Sequence, residues 1–366
     1  MRWFALYLPQ FHETAENNEW WGKGFTEWTH VRAAKPLYRG HRQPIAPLDE
    51  NYYDLMDKET VLWQTNLMKQ YGIDGFAYYH YYFKGQTLLE KPAENLLKWT
   101  DIDQPFFFCW ANHTWYQAKN GVKKVLREQT YGSQEDWEMH FQYLLPFFRD
   151  SRYEKKNNKP VFMIYIVDFP EKHAMVDYFD KRCKEEGFNG IHIIENFSNA
   201  SNPNNYAEFR KNLCIQTQNV AVRQPNAAQN AYSFSFARLN LPSRILRSVK
   251  RRLAYRGKLQ WVDTFSGETL YREMMKNTYC EPDVCHGVFF SWDNTPRHGV
   301  RGYVITPPSK ESFMRYADSV KDDDYVFINA WNEWAEGMIL EPTTHDGYKY
   351  LSWIKEWNDK NRQSNQ

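Results

Sequence analysis

A single (β/α)8 TIM-type barrel, with long strand-to-helix loops and a basic insertion after the sixth strand, is the fold class this sequence predicts. Three observations lead there. Short apolar runs recur eight times, amphipathic helical patterns fall between them, and polar aromatic clusters follow the strands. The 366 residues carry no internal repeat and no low-complexity linker. Residues 1–366 therefore read as one domain, with a basic amphipathic insertion at about 226–258.

Taken in order, the strands are expected at residues 3–8, 73–79, 105–110, 160–166, 190–195, 213–218, 287–292 and 325–331. The helices between them are expected at 57–71, 133–148, 170–186, 265–278 and 308–320. Gly72 stops the first of these and an acidic turn stops the last. Strand alternating with helix demands parallel pairing, and eight such units predict closure into a barrel. The sixth unit is the least regular, because residues 219–259 are long and irregular and leave room for an additional strand at 259–264.

Polar and aromatic residues collect at the strand ends. Tyr7, Gln10 and His12 follow the first strand, Tyr79 and His80 the second, and Trp110, Asn112, His113 and Trp115 the third. Glu195 ends the fifth, Trp292, Asp293, Asn294 and Arg297 follow the seventh, and Asn332, Glu333, Trp334 and Glu336 follow the eighth. In a parallel barrel these ends share one face, where the loops converge over the mouth. Gly22-x-Gly24-Phe-Thr-Glu27-Trp28 in the first loop adds Glu27 and Trp28, either as mouth lining or as part of a packed lid.

Glu333 and Glu336 stand three apart just beyond the apolar run 325–331, so a helical turn would point both carboxylates the same way. A Glu-x-x-Glu pair on a surface turn is ordinarily a solvated face. Here Trp331, Asn332 and Trp334 flank it and Gly337 ends it, a composition at odds with plain solvent exposure. Glycosyl transfer needs such a pair, one group to move the proton of the glycosidic oxygen and another to handle the developing oxocarbenium charge, and the two glutamates are read as catalytic. The cluster from Trp292 to Arg297 offers a ring, a carboxylate, an amide and a guanidinium that could hold hydroxyls or an anion, although Asp293 fits a structural Asp-Asn turn equally well.

Several function classes drop out. His12, His80 and His113 come from different strand ends without Glu-x-x-His or His-x-Glu spacing, so sugar hydrogen bonding is expected and no metal site. There is no G-x-G-x-x-G after a strand and no Walker A loop, so no cofactor is expected. Five cysteines, odd in number and without a CxxC pair, read as reduced thiols. The apolar run at the N-terminus is too short for a signal peptide and no 18-residue apolar stretch occurs, so a cytoplasmic location is expected.

The net charge of +1 conceals an asymmetry. Residues 209–262 hold 11 Lys or Arg and no Asp or Glu. Within them Leu241, Ile245, Val249 and Leu253 recur every four residues among Arg244, Arg247, Lys250, Arg251 and Arg252, the pattern of a basic amphipathic helix. It suits an anionic membrane surface, here the inner membrane, or an anionic carrier; the plainer alternative packs the apolar stripe on the barrel and leaves the charges solvated. The rest of the chain is acidic and carries no nucleic-acid-binding signature, so no nucleic acid partner is expected.

Five motifs, in order along the chain, resemble the WbsX family: Trp20-Trp-Gly-Lys-Gly-Phe-Thr-Glu-Trp28, Tyr71-Gly-Ile-Asp-Gly-Phe76, Cys109-Trp-Ala-Asn112, Trp292-Asp-Asn294 and Asn329-Ala-Trp-Asn-Glu-Trp-Ala-Glu-Gly337. That family is found with bacterial O-antigen and capsule biosynthesis genes and is similar to glycoside hydrolase family 99. The resemblance implies a (β/α)8 barrel and retaining, endo-acting chemistry on α-mannoside-like linkages of an oligo- or polysaccharide, free or lipid-linked. It also implies that Glu336 is the general acid/base and that Glu333 assists the sugar 2-hydroxyl to attack C1, giving a 1,2-anhydro sugar instead of a glycosyl-enzyme ester. Two departures stand out. His113-Thr114 replaces a Glu-Asn pair of relatives, and residues 216–223 replace an aromatic-Pro element, so sugar specificity and acceptor binding are expected to differ there. Hydrolase and glycosyltransferase would use the same carboxylates. The rival readings are a non-catalytic glycan-binding barrel and a membrane-surface scaffold.

Overall fold

In the computed structural model, residues 1–119, 122–196, 220–223, 240–276 and 283–363 are described. Eight strands, β1 (Arg2–Tyr7), β2 (Gly75–Phe83), β3 (Phe106–Trp110), β4 (Lys159–Ile164), β5 (His192–Asn196), β6 (Val220–Arg223), β7 (Val284–Phe289) and β8 (Tyr325–Asn329), form the central sheet. All their mutual pairings are parallel. Each strand from β2 to β7 pairs with the one before and the one after, and β1 pairs with both β2 and β8. Short antiparallel strands extend this α/β fold at its loops. The expected sixth strand, residues 213–218, lies outside the described residues, as do Cys214, Cys280 and residues 224–239; the strand that pairs between β5 and β7 is Val220–Arg223.

The helices lie where the sequence expects them, within a few residues: Lys58–Gln70, Gln134–Arg149, Lys172–Glu185, Gly267–Lys276 and Lys310–Ser319. Their starts have local causes. Asp57 accepts a hydrogen bond from the Glu59 N–H, Ser133 and Asp136 form a reciprocal capping box, and Ser309 accepts from the Ser312 N–H. The additional strand near 259–264 is present as Asp263–Ser266, but it pairs with Tyr303–Thr306, which pairs in turn with Trp292–Asp293, and not with the eight.

Alternation along the strands sorts side chains onto two faces. On one face Phe107 of β3 touches Phe4 of β1 at 5.1 Å and Phe327 of β8 at 6.2 Å, between strands that are not neighbours. A Cβ on Gly75 of β2 would stand 2.5 Å from the Phe4 ring and 2.7 Å from the Pro105 carbonyl oxygen, so that position has no room for a side chain. The opposite face packs on the helices. There Tyr7 stacks on Tyr78 at 4.2 Å and donates its hydroxyl to Gln64 Oε1 at 2.7 Å, on the helix Lys58–Gln70.

Candidate active site

Because parallel neighbours end on the same edge, the loops after β7, β8 and β1 come together. After β8 the chain makes a short hairpin, Asn332–Glu333 against Met338–Ile339, closed by the 3-10 turn Trp334–Glu336. Such a turn has three residues per revolution, so Glu333 and Glu336 fall on the same side. Gly337 ends it in the left-handed region (φ 61°) and lies so close to β7's loop that an added Cβ would meet the Asp293 nitrogen at 2.6 Å. Asn332 ties this hairpin to the end of β1, accepting from the Leu8 N–H (2.7 Å) and donating to the Leu8 carbonyl (3.0 Å).

One guanidinium organises the carboxylates. Arg297 donates through Nη1 to Glu336 Oε1 at 2.6 Å and through Nη2 to Glu27 Oε1 at 2.5 Å and Glu333 Oε2 at 3.4 Å. Glu27 also accepts from the Ala335 N–H at 3.3 Å. The Glu27 side chain is only 1% exposed, that of Glu333 10% and that of Glu336 22%, so the pair opens toward solvent through Glu336. Three carboxylates against one cation leave an excess of negative charge in a desolvated site. Burial, opposed by Arg297 and reinforced by Glu336 and Glu27, lifts Glu333 to about 8. Burial disfavours the charge of Arg297, yet its three carboxylates raise it well above the ordinary arginine value.

The structure distributes the other expected site residues by strand parity and by partner. Tyr7, His80 and Trp110 lie on the helix-packed face. His80 meets His140 at 2.9 Å, with burial lowering it to about 3, and Trp110 donates to the Tyr82 carbonyl at 3.3 Å. Asn112 exchanges two 2.7 Å hydrogen bonds with the backbone of Ile166, and Glu195 pairs with Lys172 at 2.7 Å. Asp293 is saturated by His41 (2.9 Å), Gln43 (2.8 Å) and the hydroxyl and N–H of Thr295 (2.6 and 3.1 Å), and Asn294 accepts from the Tyr303 N–H (2.8 Å). These contacts favour the structural Asp-Asn turn. Trp292 stacks on Tyr303 and His12 is buried, with its pKa lowered by that burial. Gln10 accepts from the Glu27 N–H through its carbonyl (3.0 Å). Trp28 and Trp334, both buried, pack 5.3 Å apart beneath the carboxylates.

The rings that face the site differ in part from those expected. Tyr81, on the same face of β2 as Tyr79, is raised by burial and by its proximity to Glu333. From it a run of rings leads away, Tyr81 to Trp115 at 5.0 Å and Trp115 to Trp20 at 6.0 Å, while Tyr79 approaches Tyr165 at 6.2 Å and His113 lies 6.3 Å from Tyr165. Sequence reasoning also passed over Glu341, buried behind Trp334. It accepts from Trp334 Nε1 (2.7 Å), Gln64 Nε2 (2.7 Å) and the Tyr53 hydroxyl (2.8 Å), and burial raises it to about 7. Its one sequence signal is a lone carboxylate directly after the apolar run 338–340.

The site thus sets paired carboxylates at the strand ends of an α/β scaffold, with Trp20, Tyr79 and Trp115 packed against the buried Tyr81 beside them. Solved structures agree on the scaffold. The GH99 endo-alpha-mannosidase from Bacteroides thetaiotaomicron is similar, with a TM-score of 0.53 at 14% identity, covering 100% of this chain and 98% of that one. Its complex with BIS-TRIS-propane gives 0.55 at 14% identity, and a "Glycoside hydrolase-like protein" gives 0.56 at 12% identity, covering 97% and 93% of the two chains. At such identities the likeness concerns the fold.

The chain belongs to the WbsX family, whose model, described as "Glycosyltransferase WbsX", matches residues 3–354. Two curated relatives, both named "Uncharacterized protein WxcX", come from Xanthomonas campestris pv. campestris, strains B100 and ATCC 33913. Each is 31% identical over 95% of this chain, which spans 48% of their length. Among the described residues no group of three or more His, Cys, Asp or Glu could hold a metal ion, and no helix is long and apolar enough to cross a membrane.

Proposed function

We propose that this protein cleaves or transfers an α-mannoside-like glycosidic bond within an oligo- or polysaccharide, on a (β/α)8 barrel, with Glu333 and Glu336 as the reacting carboxylates. The carrying observation is the 3-10 turn that places both on one side, joined through Arg297 to Glu27. The ring of parallel pairings, in which β1 contacts both β2 and β8, supports the barrel. The site is read as acting in the cytoplasm on a glycan of bacterial surface polysaccharide metabolism, free or lipid-linked.

In this reading Glu336, the more exposed of the pair, protonates the departing glycosidic oxygen. Glu333 takes the proton of the 2-hydroxyl as O2 closes on C1, forming a 1,2-anhydro sugar. Water or an acceptor hydroxyl then opens that ring at C1, giving a proton back to Glu336 while O2 recovers its proton from Glu333. The electrostatics set a condition: a carboxyl raised to about 8 carries a proton in the empty site, so as a base it works on the alkaline side. Activity should therefore rise with pH as Glu333 loses its proton, and fall again only when Glu336 loses the proton it must donate. A fall in place of that rise would assign Glu333 as the acid and exchange the two roles.

The test is turnover of aryl α-mannosides and mannose-rich oligosaccharides, with and without acceptor sugars, by wild type and by Glu336→Gln. Loss of a general acid should cost about 10²–10⁴-fold in rate while circular dichroism stays unchanged. Glycan binding by both proteins with turnover by neither would overturn catalysis on these substrates and leave lipid-linked glycans or a glycan-binding barrel as the readings to test.

A further inference from the structure

The helix Leu241–Tyr255 sits the opposite way round from a packed amphipathic helix. Its cationic side faces the protein: Arg247 is ion-paired with Asp263 and lies 4.5 Å over the Phe265 ring, Arg251 reaches Asp263 Oδ2 at 3.4 Å, and Ala254 is buried. Its apolar side faces out, with Leu241 70%, Ile245 57%, Leu246 56% and Val249 49% exposed. At 100° per residue Arg252 and Arg256, both exposed, fall on the same side as Leu241, Ile245 and Val249. Beside that stripe Ser248, Arg251, Arg252, Tyr255 and Arg256 line a shallow pocket of about 290 Å³. No Asp or Glu occurs from residue 209 to 262.

We propose that this helix docks on a bilayer surface bearing anionic phospholipids, its apolar stripe inserted among the acyl chains and the arginine-lined pocket seated on a lipid phosphate. Charge complementarity selects this occupant. An apolar stripe bordered by arginines, with no carboxylate within the helix, matches the acyl–headgroup boundary of an anionic leaflet, where apolar insertion and phosphate pairing act together. A soluble protein partner would require acidic residues around a dry patch; a membrane supplies phosphate and hydrocarbon at the right depths.

The helix is also tied to the segment that carries Arg297. Arg301 lies 5.9 Å from the Tyr255 ring and only four residues beyond Arg297. Asp263, which anchors the helix, opens the strand that pairs with Tyr303–Thr306 and through it with Trp292–Asp293. The docking stands whether or not the carboxylates turn over glycans.

The experiment is co-sedimentation of the full chain with vesicles of phosphatidylcholine alone and of phosphatidylcholine with about a third phosphatidylglycerol, with and without inorganic phosphate. Two surface variants accompany it, Ile245→Ser/Val249→Ser and Arg252→Ala/Arg256→Ala, each checked for wild-type thermal unfolding and glycan turnover. We expect binding to the anionic vesicles well above that to the neutral ones. It should fall about fivefold for each arginine removed and at least about tenfold in the stripe variant. Equal binding to both vesicle types, a stripe variant that binds like wild type, or complete displacement by millimolar phosphate would each overturn the proposal. So would a self-associating wild type that ignores vesicles and becomes monomeric in the stripe variant, which would make a second copy of the chain the occupant.

Discussion

Replacing Glu333 by Gln should make the protein more stable, and increasingly so as pH rises. In the folded state burial and two neighbouring carboxylates hold this group at about 8, against an ordinary glutamate value of 4.5. Folded protein therefore keeps a proton that the unfolded chain has released, and stability falls with pH across the window from about 4.5 to 8. At pH 7 the gap spans about 2.5 pH units, roughly 3 kcal/mol at 1.36 kcal/mol per unit. Solvent at the 10% of the side chain that is exposed, and the weakened 3.4 Å contact to Arg297 in the variant, reduce this to about 2 kcal/mol. An unfolding entropy of about 2.1 cal/mol/K per residue converts that into a Tm gain of about 2–3 °C. Thermal unfolding of wild type and Glu333→Gln by circular dichroism at pH 5, 7 and 9 measures it. The two should nearly coincide at pH 5 and separate further at each step. A difference that does not change with pH, or a variant less stable than wild type at pH 9, would refute the charge argument.

Two further substitutions probe the same cluster. Arg297→Met removes the one cation from three carboxylates; because protonation relieves the repulsion, thermal unfolding should show little loss at pH 5 and about 3 kcal/mol at pH 8. Gly337→Ala forces a side chain into the left-handed region and toward the Asp293 backbone, which should cost about 1–3 kcal/mol in urea unfolding and lower glycan turnover through a displaced Glu336.

Seven of the eight strands and all five expected helices were legible because apolar runs of strand length and 3.6-residue patterns are local signals. The strand Val220–Arg223, by contrast, has a short apolar run as its local signal and draws its support from pairing with β5 and β7, while the expected 213–218 lies outside the described residues. At the site, Glu27, Arg297, Glu333 and Glu336 were all named, yet their meeting at one guanidinium is a tertiary fact that no spacing encodes. Tyr7, His80 and Trp110 illustrate the opposite error. A strand end alone does not say which way a side chain faces: parity turns each of these three to the helices, whereas Tyr81, one residue from His80, lies toward Glu333. Glu341 escaped notice because a single buried carboxylate in an apolar run looks the same as a solvated one until its three donors are in place.

The tie between the first strand and the last also orders events in time. Glu27 belongs to the opening tenth of the chain, while the Arg297 that neutralises it and the Ala335 N–H that it accepts from lie 270 and 308 residues further on. At a ribosome's pace of about 5–20 residues per second, that carboxylate emerges roughly 15–60 s before its partners. Within that interval β2 becomes available to β1, but β8 is made only near its end, so until then the first loop lacks the hairpin it closes upon. The carboxylate cluster therefore cannot assemble until β8 and the hairpin after it have been made, and a chain cut short before β8 would lack both Glu333 and Glu336.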